Sequence, residues 1–462
     1  MPSILGANST SGAFEVTNSL RFNDGDSAYL NRSLGSGNQK TFTFSAWIKR
    51  GVIGTEQHLF GQREDDSNRT NIFFTSGDLL NIRSNSSGAG LHVNIITTQV
   101  FRDVSAWYHI VVAVDTEDST EANRVKVFVN GTQVTSFGTE TYPAEDATLV
   151  INNAVSHEVG SYDTGAGFFD GYMAEVVFID GTQLAATSFG EFDEDTTTVW
   201  KPINVGTLTF GTNGFYLNFK DSSNLGDDAY GGTDWTENNI AATDQSIDTC
   251  TNNFCTLNPL QIGPRNSQSE SAGTFSEGNL NVLGTGTADD FAGTIAVSTG
   301  KWFYEVKLLT ALNHGAGFVP LDDFTSGDSS IANGITNGSQ QYGTMEGGSS
   351  SRIANNGDNS VSPQNNFDDD DIISFAFDID GGTLKIYNNG SLDRTISSIP
   401  ADTYIPIGGD SSSTDASLSF NFGSPSYSES GGNSDGSGYG NFSMAVPSGY
   451  FSICTKNLAE YG

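Results

Sequence analysis

The chain holds 462 residues, with 55 Asp and Glu against 20 Lys and Arg and a formal net charge of −35. That charge opposes nucleic acid and anionic membrane surfaces, which bind proteins through Lys and Arg. Aromatics at 11% exclude a disordered acidic chain, three Cys exclude a disulfide framework, and the length suggests two large domains.

Met1–Leu20 has no basic stretch ahead of an apolar core, so no secretory signal is expected, and no run approaches the roughly 20 apolar residues of a membrane span. Residues 1–18 carry no charge before Glu15 and are expected to dock onto a partner. Thr41–Ile48 then alternates, with Phe42, Phe44, Ala46 and Ile48 on one face, the period of a half-buried strand. Trp107–Asp115 aligns Tyr108, Ile110, Val112 and Val114 in the same way. Val125, Val127 and Val129 lead into Asn130-Gly131, a type I′ hairpin signal, because both central residues need positive φ. Tyr172–Ile179 is apolar on both faces, as an inner strand would be. Thr182–Phe192 is the one short helix candidate.

Residues 221–270 are polar but contain Tyr230, Trp235, Ile240 and Phe254, and read as a connector docked onto domains at 19–220 and 271–462. Within this stretch Cys250 and Cys255 are close enough in sequence to pair, while Cys454 is distant. Strand patterns resume at Lys301–Leu308 and Ile372–Ile379, followed by Leu384–Tyr387 and a turn at Asn388-Asn389-Gly390. Gly327–Asn366 and Ser426–Asn441 read as loops, and Gly449–Cys454 as a last strand. Short strands with turn punctuation and almost no helix predict an all-β fold of two β-sandwich domains.

Two resemblances sharpen this. Leu20–Asn23, Phe42–Ile48, Trp107–Val111, Val125–Gly131 and Gly171–Val176 follow an order that resembles the laminin-G-like, concanavalin-A-like jelly roll, also seen in pentraxins. That family's acidic pair is here Ala174-Glu175, so one carboxylate is missing. Gly300–Val306 (GKWFYEV), then Asp371–Asp378 and Gly382–Gly390 about 70 residues on, resemble the core of SPRY domains. Phrases such as Val199-Trp200-Lys201-Pro202, Gly211–Leu217, Asn253–Pro259 and Cys454–Leu458 resemble virion proteins of marine bacteriophages, many infecting cyanobacteria, that join two such domains.

Catalytic signals are poor. Glu191-Phe192-Asp193-Glu194-Asp195 partly resembles the Glu-x-Asp-x-x-Glu strand of glucanases, but Thr196 stands where the second catalytic carboxylate belongs. His58, His92, His109, His157 and His314 are scattered, and no Cys/His cluster supplies the four ligands of zinc. No catalytic residue is therefore assigned. The laminin-G and pentraxin resemblance implies calcium at rim loops, with Asp163 and Asp170 in Gly160–Gly171, and Asp65 and Asp66 before Asn68, as candidate ligands. A sugar site needs an aromatic platform, for which Tyr162, Phe168 and Phe169 in one loop and Tyr342 in another are the candidates.

The resemblance implies a non-enzymatic virion protein: a fibre, spike or decoration that displays binding domains for host-surface glycan. It would be made in the host cytoplasm, contact other virion proteins and form a trimer, without nucleic acid or membrane insertion. A purely structural capsid or head-fibre protein is the alternative, and a polysaccharide-degrading enzyme the third reading.

Overall fold

The computed structural model describes residues 14–87, 90–163, 167–262, 273–284, 289–311, 314–326, 341–346, 351–356, 358–410, 416–429 and 431–462. The protein is all-β with several sheets and, among the described residues, two short α-helices, and it divides into two compact units, one ending at Thr251 and the other starting at Asn252.

In the first unit one sheet runs Thr132–Gln133, Val125–Val129, Trp107–Asp115, Thr41–Arg50, Gly171–Asp180, Ser19–Phe22 and Gln245–Ser246, with Phe215–Leu217 also paired to Gly171–Asp180. The second sheet runs Phe137–Thr141, Gly90–Val100, Leu79–Ser86, Asn68–Phe74, Gln57–Asp65, Ser156–Val159, Tyr29–Ser33 and Thr236–Asn238. Successive side chains of a strand point to opposite faces, so alternation decides which residues meet. Phe42, Phe44, Ile48, Ile110 and Val112 of the first sheet share a core with Phe60, Ile72, Phe74, Ile82 and Val93 of the second. Phe44 and Phe60 stack across it, ring centres 5.1 Å apart.

The two outer faces differ in chemistry. The first sheet is apolar on its outer side as well, where Trp47, Trp107, Tyr172, Val177 and Ile179 are covered by Phe189, Trp200, Val205, Phe210 and Cys250. This second layer explains why Tyr172–Ile179 reads as apolar on both faces. Val16 is buried in the same layer, so residues 14–18 of the expected docking segment lie against their own unit, and residues 1–13 lie outside the described residues. The second sheet turns a polar face outward.

Several expectations change. The stretch 221–270 is divided between the units: Trp235 enters the first core, Thr236–Asn238 pairs with Tyr29–Ser33, and Gln245–Ser246 pairs with Ser19–Phe22. Cys250 and Cys255 are buried thiols that form no disulfide, and they fall in different units. The Thr182–Phe192 helix is only a 3-10 turn, Ala186–Ser188, followed by the strand Gly190–Phe192. Asn130 (φ 47°) and Gly131 (φ 78°) form the expected left-handed turn, as do Asn389 (φ 48°) and Gly390 (φ 77°).

The second unit also has two sheets over one core. Lys301–Thr310 pairs with Ile372–Asp378 and Ser417–Asn421, and Ile372–Asp378 continues to Thr383–Asn388 and Ser391–Ser397. The facing sheet contains Tyr404–Asp410, His314–Pro320, Tyr342–Glu346 and Ser351–Asn355. Trp302, Tyr304, Phe375 and Phe377 meet Phe318, Tyr342 and Tyr404 between them. Among its described residues the Gly327–Asn366 stretch, read as loops, thus contains three strands, Tyr342–Glu346, Ser351–Asn355 and Asp358–Val361. Of the last expected strand only Phe451–Ser452 forms, parallel to Lys301–Thr310, and a helix, Thr455–Tyr461, follows it. Seven residues are too few to display a helical period in sequence.

Candidate ligand-binding face

The expected aromatic platform is split by alternation. Phe168 points to the outer side, 6.0 Å from Tyr29, while Phe169 is fully buried against Phe22. Tyr162 stacks on His58 at 4.1 Å, and His58 stacks on Phe73 at 4.7 Å, giving a three-ring column at the margin of the second sheet. Tyr342 is a correction: it is a core residue, 2% exposed, packed against Tyr404. Its Gly- and Ser-rich surroundings suggest a loop, but long-range strand pairing places it inside.

The four aspartates expected for calcium do not converge. Asp66 accepts from Arg63 at 2.8 Å, and Asp163 is bonded to the same guanidinium. Asp65 caps its own turn, accepting from the backbone of Ser67 and Asn68. Asp170 is buried beside Gly51, whose N–H donates to the Asp170 carbonyl at 2.9 Å. Calcium needs six to eight oxygens, and no group of three His, Cys, Asp or Glu side chains able to hold a metal occurs among the described residues. Arg63 supplies the positive charge that a cation would bring. Excess chelator is therefore expected to leave the melting temperature unchanged in calorimetry; a clear fall would restore a cation site.

The groups with catalytic chemistry are each committed elsewhere. Ser45 Oγ lies 2.9 Å from His109 Nε2, a distance suited to nucleophile activation. The Trp200 indole N–H, which can only donate, reaches His109 Nδ1 at 3.0 Å. Nδ1 must accept, so the proton sits on Nε2 and faces Ser45. That tautomer cannot take the serine proton as a general base does. Burial also holds His109 down to about 3, keeping it neutral. Glu175, at the bulge between Ala174 and Val177, is pushed up to about 7 by burial, opposed by the Tyr216 hydroxyl donating at 2.5 Å. The charged or hydrogen-bonding neighbours that shift it are Tyr216 and Lys220, neither of them the second carboxylate of a glycosidase pair. Glu191 and Asp193 both pair with Lys201, and Asp193 accepts from the backbone of Asp195 and Thr196.

The outer face of the second sheet is a different kind of surface. Antiparallel register places Arg63 opposite Arg69, and Arg69 opposite Asn85. The next row crosses the sheet through Asn31, Glu158, Gly61, Asn71, Arg83, Asn94 and Thr141. A third row runs His58, Phe73, Asn81 and Ile96. Gly61 presents no side chain in the middle of this field. Asn71 donates to His58 Nδ1 at 3.3 Å, and Arg83 Nε donates to Asn85 at 3.2 Å. In this field His58, Asn71, Phe73, Asn81 and Glu158 are buried, and Tyr162, Arg69, Arg83 and Asn94 are the partly exposed side chains. The sequence signal was the alternation of Asn81, Arg83 and Asn85 with Leu80, Ile82 and Ser84, which reading for apolar strands passes over.

Comparison with known proteins bears on the same unit. Residues 23–187 match the Laminin G 3 family, described as the concanavalin A-like lectin/glucanases superfamily. No curated protein matches the sequence. Similar solved structures include the SPRY domain of human HERC1, at 13% identity, covering 36% of this chain and 96% of that one with a TM-score of 0.29. The TRIM65 PSpry domain is 12% identical over 36% of this chain and 91% of its own, with a TM-score of 0.28. The heptameric SAP-like pentraxin of Limulus polyphemus is 16% identical over 37% and 80%, also at 0.28. The first unit is laminin-G-like, and its Ser45, His109, Glu191 and Asp193 side chains are each held in structural bonds.

Proposed function

We propose that this chain is a non-enzymatic carbohydrate-binding component of a bacteriophage particle, a fibre, spike or decoration protein whose first unit holds host-surface glycan on the open face of its second sheet. The observation that carries the reading is the polar outer face of that sheet, where amides and arginines lie beside a stacked aromatic column. Sugars offer apolar ring faces and outward hydroxyls, and such a surface meets both. The lectin description of the matched family favours the same reading. The virion setting rests on the sequence phrases alone, and a trimer with other particle proteins as neighbours follows from it.

The full chain would be tested for retention on polysaccharides extracted from the host envelope. Tyr162→Ala is expected to weaken retention about tenfold, the size of one lost aromatic contact, with an unchanged melting temperature. No retention on any polysaccharide overturns the reading. Labelling of intact particles with antibody tests the virion setting separately.

A further inference from the structure

We infer that the open face selects an acidic polysaccharide, carboxylated or sulfated, through Arg69 and Arg83. The inference rests on the carbohydrate reading above and adds the charge class of the ligand.

The protein has 20 basic residues to set against 55 acidic ones, so carboxylates are available to nearly every cation. Arg63, Arg69 and Arg83 nevertheless cluster on three neighbouring strands of one face. Arg63 is ion-paired with Asp66 and Asp163, although its Nε, like that of Arg69, is buried without an acceptor. Arg69 and Arg83 form no ion pair among the described residues, although each is only half-buried. The Arg69 Nε hydrogen is buried without an acceptor. Arg83 is held below its ordinary value, first by burial and then by the charge of Arg69. Glu56 feels the charge of both and Asp66 that of Arg69, but the Glu56 carboxylate is bonded to His58 at 3.1 Å and Asp66 to Arg63 at 2.8 Å. Two like charges kept together in an acidic protein destabilise it slightly, and a bound anion would reverse that cost.

Guanidinium forks match the two oxygens of a carboxylate or sulfate. The row from Asn31 to Thr141 crosses seven strands, roughly 29 Å at the ordinary strand spacing, so the surface suits an extended chain of sugars more than a single anion. Nucleic acid fits less well. It carries a charge about every 1.7 Å of duplex, and two arginines within a chain of net charge −35 cannot offset that density.

The test uses the full chain on immobilised polygalacturonate (carboxylated), dextran sulfate (sulfated), dextran (neutral) and duplex DNA, at low and high salt. Binding is expected on one or both acidic polysaccharides, at least tenfold tighter than on dextran, and weakened by salt. Which of the two binds assigns the anion. Arg69→Gln and Arg83→Gln are each expected to cost about tenfold, the lower range for a charged hydrogen bond, while Lys385→Gln in the second unit costs nothing. Arg83→Lys, which keeps the charge and loses the fork, is expected to fall between and covers the case in which a glutamine variant does not fold. Equal binding to dextran, or no loss in the folded arginine variants, overturns the acidic selectivity and leaves the carbohydrate reading standing. Equal binding to DNA overturns it in favour of an unselective anion surface. Failure to bind any polysaccharide overturns both.

Discussion

Asp248→Ala is expected to lower the stability of the first unit by about 3–5 kcal/mol, the penalty for leaving a buried charge without its partner. Lys49 Nζ lies 2.8 Å from Asp248 Oδ2, with the two side chains 1% and 2% exposed. The Trp107 indole donates to the other carboxylate oxygen at 3.2 Å, and the Tyr172 ring faces the ammonium at 5.6 Å. Removing the carboxylate leaves the buried ammonium beneath an apolar layer without its counter-charge. The double variant Lys49→Met, Asp248→Leu is expected to regain most of the loss, because the desolvation cost disappears with both charges. Urea unfolding followed by a probe in each unit would separate the transitions. A single-variant loss below about 1 kcal/mol would mean that solvent reaches the pair.

Two buried glutamates are expected to respond to amide replacement in opposite directions. Glu175 and Glu305 are both pushed up to about 7 by burial. A carboxyl raised in the folded state contributes its full stability below the unfolded value near 4.5, and that contribution is lost as pH rises through about 7. Glu175 faces one donor, the Tyr216 hydroxyl, which an amide oxygen can also satisfy. Glu175→Gln is therefore expected to stabilise the first unit at pH 8 by on the order of 3 kcal/mol and to change little at pH 4. Glu305 instead receives Ser443 N–H at 2.9 Å, Asn421 Nδ2 at 3.1 Å, Met444 N–H at 3.2 Å and Ser374 Oγ at 3.3 Å. An amide would turn its own NH2 against some of these donors. Glu305→Gln is expected to destabilise the second unit by about 2–3 kcal/mol at pH 4, where the carboxyl is neutral, and by much less at pH 8, where removal of the buried charge offsets the lost bonds. Melting curves at both pH values decide the matter, and the same sign of change at both sites would refute the argument.

Alternation made the frame legible in the sequence. Phe42–Ile48 and Trp107–Asp115 form the strands expected of them, and both Asn-Gly turns adopt the left-handed pair that their residues favour. The candidate face was less legible because it depends on register between strands. The tight Asp66-Ser67 turn sets Arg69 opposite Arg63, but nothing local says that Arg83 shares a row with Asn71 and Asn94. The aromatic loop shows the same limit: Phe168 and Phe169 are adjacent and chemically identical, and only the fold sends one outward and one into the core. Among the acidic candidates, Asp66 and Asp163 both pair with Arg63, the first three residues from it in sequence and the second brought to it by the fold.

Each unit stitches its own first and last segments together. Ser19–Phe22 lies between Gly171–Asp180 and Gln245–Ser246, and Ser19 Oγ donates to the Asp248 carbonyl at 2.6 Å. In the second unit Cys255 N–H donates to Ile453 O and Thr455 N–H to Asn253 O, both at 2.9 Å. During synthesis neither sheet system can be completed until roughly two hundred residues have left the ribosome, because loop closure over that span must precede the last contacts. Until residue 246 emerges, the Ser19–Phe22 strand presents an unpaired edge, the kind of surface on which nascent copies on neighbouring ribosomes associate wrongly. High expression would therefore tax the first unit at a defined moment of translation, and a chaperone that shields strand edges would act before Gln245–Ser246 arrives.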